Sequence, residues 1–262
     1  MTFFFLVYPL LGLCSGFIAG LLGIGGGLVI VPALLLILPY QGLPAAGIAH
    51  AAVATSLATV IVTSLIASYA HHRHRAVDWP VFWKMAPGLL SGAFSGAVIA
   101  AGLPSGVIRT CFGVFALLIA IQMGFRLQPA PRGHLPAAPL LATVGAFFGI
   151  LSAIVGVGGG TLTVPFLRWR NVAMQRAVAT SSACGFPIAV GGSLGFSVMH
   201  MLADPTAASP GAIYWPAALW IGAASLLTVP LGAKATHRVS TVLLTRVFAV
   251  ALTIIGLRLI WG

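Results

Sequence analysis

Gly23-Ile24-Gly25-Gly26-Gly27-Leu28-Val29-Ile30-Val31-Pro32 returns later in the chain as Gly156-Val157-Gly158-Gly159-Gly160-Thr161-Leu162-Thr163-Val164-Pro165. Each copy follows an apolar run and leads into a shorter one, so each reads as helix, glycine turn, helix. Glycine accepts positive φ and lets backbone approach closely, which such a turn needs. The first amides of the following helix have no intrahelical acceptor and lie at the positive end of its dipole, a combination suited to an anion. Working outward, residues 12–34 lie on 145–167 without a gap, Ala52-Val53-Ala54-Thr55-Ser56 is identical to Ala177-Val178-Ala179-Thr180-Ser181, and Trp79-Pro80 matches Trp215-Pro216. The chain is a tandem repeat: residues 1–127, a linker 128–136, and residues 137–262.

The solvent of this protein is set by composition. Of 262 residues, 60% are hydrophobic and 6% charged, against about 25% charged in a soluble domain. Apolar runs at 3–22, 51–70, 81–101, 107–125, 137–155, 176–199, 213–233 and 239–261 each suffice to cross roughly 30 Å of hydrocarbon. The expected fold is all-α and polytopic, with eight long helices and two short half-helices in the glycine hairpins. The net charge of +11 comes from basic residues in loops and at helix ends, a positive-inside pattern and not a nucleic-acid surface. Cys14, Cys111 and Cys184 are isolated in apolar runs and read as small apolar residues. No metal or cofactor is expected, and residues 3–22 read as a retained helix.

Basic residues also predict orientation. The loops bearing His71 to Arg75, Arg126 with Arg132, Arg168 with Arg170 and Arg176, and Lys234 with Arg238 share one side, the cytoplasm; 39–49, 102–105 and 201–211 contain no Lys or Arg. Both termini then lie outside, and the two halves are inverted, an arrangement that puts a transporter's site near the midplane. Gly160 to Arg168 spans roughly 12 Å and Gly27 to Pro39 roughly 18 Å, both too short to cross, which predicts re-entrant hairpins. Thr55 and Thr180 fall roughly 12 to 14 Å inside their helices, level with the glycine turns.

The candidate substrate-binding residues are Gly25, Gly26, Gly27, Thr55, Ser56, Gly158, Gly159, Gly160, Thr161, Thr180, Ser181 and Arg176. The glycines bring backbone amides, the hydroxyls bring donors, and Arg176 stands where it can attract an anion. Against these stand ordinary uses: glycines for helix packing, hydroxyls bonded to their own helix, Arg176 as a charged flank. Gly12, Gly16, Gly20, Gly92 and Gly96 have packing spacing, and Gly12→Ala is expected to be milder for transport than Gly26→Leu or Gly159→Leu. Asp78 and Asp204, the two acidic residues, fall in loops, so the usual buried carboxylate of a proton relay or sodium site is missing. His50 and His200 read as interfacial, and Arg109 and Arg246 as snorkelling or pathway residues. Gly191-Gly192-Ser193-Leu194-Gly195 matches a nucleophile elbow, but that motif needs a strand before its serine; an enzyme is not expected.

The two hairpins with Val-Pro, the duplicated Ala-Val-Ala-Thr-Ser and the paired halves together resemble the TauE/SafE family of sulfite and organosulfonate exporters. The resemblance covers essentially the whole chain. It implies a bacterial inner-membrane permease moving sulfite, sulfoacetate or related sulfonates outward; the residues alone indicate an anion permease working by alternating access. Uptake or proton coupling of a different anion is the alternative reading, and a membrane sensor or intramembrane hydrolase a remoter one. A homodimer is left open.

Overall fold

The computed structural model describes residues 2–125, 133–203, 213–235 and 241–261, and every regular element among them is helical. The long helices are α1 (Thr2–Leu22), α3 (Ile48–Arg73), α4 (Trp79–Ala101), α5 (Ser105–Gly124), α6 (Ala138–Val155), α8 (Met174–Leu202), α9 (Trp215–Ala235) and α10 (Thr241–Trp261). The short ones are α2 (Gly27–Ile37) and α7 (Gly160–Trp169). Among the described residues, six helices have the length and apolar composition to cross a membrane, so this is a multi-pass membrane protein. The linker's residues 128–132, together with Asp204, Arg126, Arg132 and Arg238, lie outside the described residues.

Helix pairing follows from the small residues. Gly12, Gly16 and Gly20 seat α1 on α9, where a Cβ on Gly12 would stand 2.5 Å from the Ile221 carbonyl oxygen and one on Gly16 2.8 Å from the Ser225 Cα. Gly145 and Gly149 seat α6 on α4 in the same way, 2.7 Å from the Met85 oxygen and 2.5 Å from the Leu89 oxygen. Gly96 completes that seam against Ile150 at 2.6 Å. With lipid outside, such close backbone approach replaces the hydrophobic effect as the source of helix association. At Gly12 a methyl group would collide with the Ile221 backbone, which cannot swing aside.

The register of the remaining contacts runs head to tail. Gly113 meets Gly256 while Gly124 meets Ala249, so α5 and α10 cross antiparallel. Gly185 packs on Ser64 while Gly192 packs on Leu57, so α3 and α8 do too. In the first pair the contact is reciprocal, with a Cβ on Gly113 3.0 Å from the Gly256 oxygen and one on Gly256 2.9 Å from the Gly113 oxygen.

Pro32 and Pro165 lie inside α2 and α7. Each removes the amide that would bond the carbonyl four residues back, on Leu28 and Thr161. At 11 and 10 residues these helices run only about 15 to 17 Å. A 3₁₀ turn (Leu38–Gln41) follows α2, and a second (Ala45–Gly47) leads into α3.

Candidate functional site

The two glycine turns touch. A Cβ on Gly25 would lie 3.1 Å from the Gly158 Cα, the reverse distance is also 3.1 Å, and the Val60 side chain lies 3.1 and 3.3 Å from the two positions. One step along each turn, a Cβ on Gly27 would stand 2.5 Å from the Gly156 oxygen, and one on Gly160 would meet the Gly23 carbonyl. Only hydrogen fits at these places. The turns nevertheless differ in backbone. Gly23, Gly25 and Gly26 are left-handed at φ of 71, 73 and 79°, whereas in the second turn Gly156 is left-handed at 77° and Gly159 has an ordinary φ of −59°.

Hydroxyl groups of α3 and α8 surround this contact. Ser56 donates to the Gly156 carbonyl at 2.8 Å and Thr63 to the Gly25 carbonyl at 3.1 Å. Ser181, whose Oγ is 3.0 Å from the Cβ position of Gly23, donates within its own helix to Val178 at 2.8 Å. Thr59 and Ser182 are likewise bonded inside their helices. Thr161 is 5% exposed and Thr163 is 0% exposed at the start of α7, and among the described residues neither hydroxyl has a hydrogen-bond partner. A buried hydroxyl left unpaired costs on the order of 1–3 kcal/mol. The corresponding positions of α2 are Leu28 and Ile30, both fully buried, so one side of the site is polar and the other aliphatic.

Thr55 and Thr180 face elsewhere. Thr55 Oγ1 accepts from the backbone N–H of Tyr214 at 2.8 Å, and Thr180 Oγ1 accepts from that of Asp78 at 2.9 Å. Each thus ties its helix to the residue before the Trp-Pro pair of the other half, with its hydroxyl hydrogen still to give. Nothing in the sequence marks Tyr214, and Asp78 stands out there only as a loop carboxylate, although both directly precede a repeated Trp-Pro. Asp78 also caps α4 through Val81 N at 3.3 Å. Arg176 is exposed in the first turn of α8, two residues before Val178, whose carbonyl oxygen lies 2.8 Å from the Cβ position of Gly23. Buried rather than exposed, His50 places its Nε2 3.0 Å from the Leu103 oxygen, while His200 is exposed. Arg109 is half-buried one turn into α5 and Arg246 is exposed. The buried Ser193 lies within α8 with no strand before it, so the elbow geometry is missing. The three cysteines are free thiols, and Cys184 is buried beside Gly159.

Six helices among the described residues that are long and apolar enough to cross a membrane, together with a buried meeting of two glycine turns beside the hydroxyls of α3 and α8, define a polytopic membrane protein. Residues 8–259 match the family described as Sulfite exporter TauE/SafE, and the chain belongs to that family. It is a membrane transporter. A probable membrane transporter protein of Haemophilus influenzae is 31% identical, covering 99% of both chains. Another from Methanocaldococcus jannaschii is 28% identical over 97% of this chain and 96% of its own. The probable membrane transporter protein YunE of Bacillus subtilis is 27% identical over 98% of this chain and 97% of its own. No solved structure matches the chain.

Proposed function

We propose that this transporter is a permease of the bacterial inner membrane that exports small sulfur-containing anions, sulfite, sulfoacetate or related organosulfonates, by alternating access. The observation that carries the reading is the pair of buried, unpartnered hydroxyls of Thr161 and Thr163 at the glycine-turn end of α7. An anionic oxygen supplies the acceptors that these groups lack, next to the first amides of α7 and its positive dipole end. Gly25, Gly26 and Gly27 together with Gly158, Gly159 and Gly160 bring backbone to the guest. Thr55 and Thr180 offer their hydroxyl hydrogens. Ser56 and Ser181 join when the guest displaces their present carbonyl acceptors, and Arg176 draws anions toward the cytoplasmic mouth.

The antiparallel crossings of α3 with α8 and α5 with α10 support an inverted arrangement of the halves. The short α2 and α7 support re-entrant hairpins meeting at the midplane. In the proposed orientation both termini are outside. Rocking of one half against the other exposes the site alternately. Sulfur as the cargo comes from the family and from no single residue here.

Voltage suffices as the driving force. A monovalent anion leaving a negative interior gains about 2.3 kcal/mol per 100 mV, roughly a fiftyfold gradient, and both acidic residues were placed outside the helices by sequence. The test is flux in proteoliposomes, with potassium and valinomycin setting the potential and pH equal on both sides. Sulfite or sulfoacetate flux is expected to rise with potential in the direction of anion exit and to persist without sodium. Flux that ignores voltage but follows a pH step overturns the uniport and establishes electroneutral proton coupling.

A further inference from the structure

Tyr214 joins four separated parts of the chain. Its backbone N–H donates to Thr55 on α3 at 2.8 Å, and its phenol donates to Gln41 Oε1 at 3.1 Å, in the 3₁₀ turn that ends the α2 arm. Its ring stands 6.3 Å, centroid to centroid, from that of Tyr8 on α1, a side chain 3% exposed. The repeat-mate of this knot is weaker. There the backbone N–H of Asp78 reaches Thr180 at 2.9 Å, but the Asp78 side chain turns back to cap α4. The position aligned with Tyr8 is Leu141, which carries no hydroxyl, and Gln41 lies beyond residues 12–34, the stretch over which the two halves align without a gap. Tyr214 thus ties the two halves through backbone and phenol together, whereas at the repeat-mate only the Asp78 backbone reaches the other half, and the side-chain bond beside it, Trp79 Nε1 to His72 Nδ1 at 3.1 Å, stays within the first half.

We propose that Tyr214 is the gate residue on the Gln41 side, the residue whose two hydrogen bonds must break before the central site opens in that direction. The inference rests on the alternating-access reading above. A path from the glycine turns toward Gln41 has to part α3 from the entry to α9 and both from the end of α2, and Tyr214 spans all three. The Thr180–Asp78 bond is the corresponding gate on the opposite side. The gates are unequal, so the two openings are unequally populated and Tyr214 sets the ratio.

A native reporter already stands at the centre, because a Cβ on Gly159 would lie 3.3 Å from the Cys184 carbonyl carbon and Cys184 is fully buried. In a Cys14→Ala, Cys111→Ala background, Cys184 is labelled with an impermeant maleimide in right-side-out and inside-out vesicles. Tyr214→Phe keeps the ring and the backbone bond and removes the phenol with its bond to Gln41; Gln41→Leu removes that bond from its other end and leaves the phenol beside Tyr8. Each is expected to raise Cys184 labelling from the Gln41 side about fivefold, the population shift that one net hydrogen bond corresponds to. The double variant should label no faster than either single one, and Thr180→Val should raise labelling from the opposite side. Unchanged labelling, an equal rise from both sides, or an additive double variant overturns the proposal. Flux is measured in parallel and separates the two readings. Sided labelling in a protein that carries no sulfite or sulfonate leaves the gate and removes the cargo; normal flux with unsided labelling removes the gate.

Discussion

Gly26 and Gly159 occupy the same place in the repeat but different regions of backbone space. Gly26 has φ of 79° and Gly159 has φ of −59°. An L-residue in the left-handed region costs roughly 1–2 kcal/mol, so Gly26→Ala should lower the melting temperature of the detergent-solubilised protein. Gly159→Ala meets the terminal methyl of Ile188 at 3.0 Å, which can turn away, and α8 backbone at 3.3 and 3.4 Å, which must give by a few tenths of an ångström, and with no left-handed φ it should lower the melting temperature less than Gly26→Ala. Equal melting temperatures would show that the turns are alike in conformation. Thr161→Val and Thr163→Val remove hydroxyls that have no partner among the described residues; the proposed function requires each to weaken anion binding, read by isothermal titration with sulfite, without loss of thermal stability. Some of this was legible in the sequence and some was not. Duplication pointed to the glycines and to Thr55 and Thr180, but a threonine looks the same whether it donates to a ligand or accepts from a backbone amide. Its partners here are 159 and 102 residues away, beyond any local pattern.

Among the helices, the long apolar runs and the two short arms were readable because membrane thickness fixes a length and apolar side chains fill it. Ends were less so: α3 (Ile48–Arg73) and α8 (Met174–Leu202) both run past the apolar stretches at 51–70 and 176–199 at each end. Which helix each glycine face would meet was hidden, because a glycine stripe fits any small-residue partner. The structure assigns α1 to α9 and α6 to α4 through backbone contacts that admit no side chain. Gly96→Ala and Gly149→Ala should each cost about 1–3 kcal/mol, the usual penalty of overpacking. Gly106, with nothing within 4 Å of its Cβ position, is the control, and Gly106→Ala should be neutral. Thermal unfolding in one detergent compares all three; tolerance of Gly149→Ala would mean that the α4–α6 seam can slide.

At the scale of the whole molecule, orientation is the proposal most directly open to test. Cysteine placed at Gly42, in an open turn, should react from outside with an impermeant reagent in intact cells, and cysteine at Arg75, after α3, only once cells are permeabilised. The opposite pattern would reverse the orientation and with it the side on which Tyr214 stands. The pairing of α1 with α9 also bears on how the protein is made. Gly12 finds Ile221 about 200 residues further along, which at 5–20 residues per second is a wait of roughly 10–40 s on the ribosome. During that interval α1 is already in the bilayer with its glycine groove turned to lipid. The α1–α9 seam therefore closes only after α9 is made, and a ribosome stalled after α8 leaves α1 without its mate.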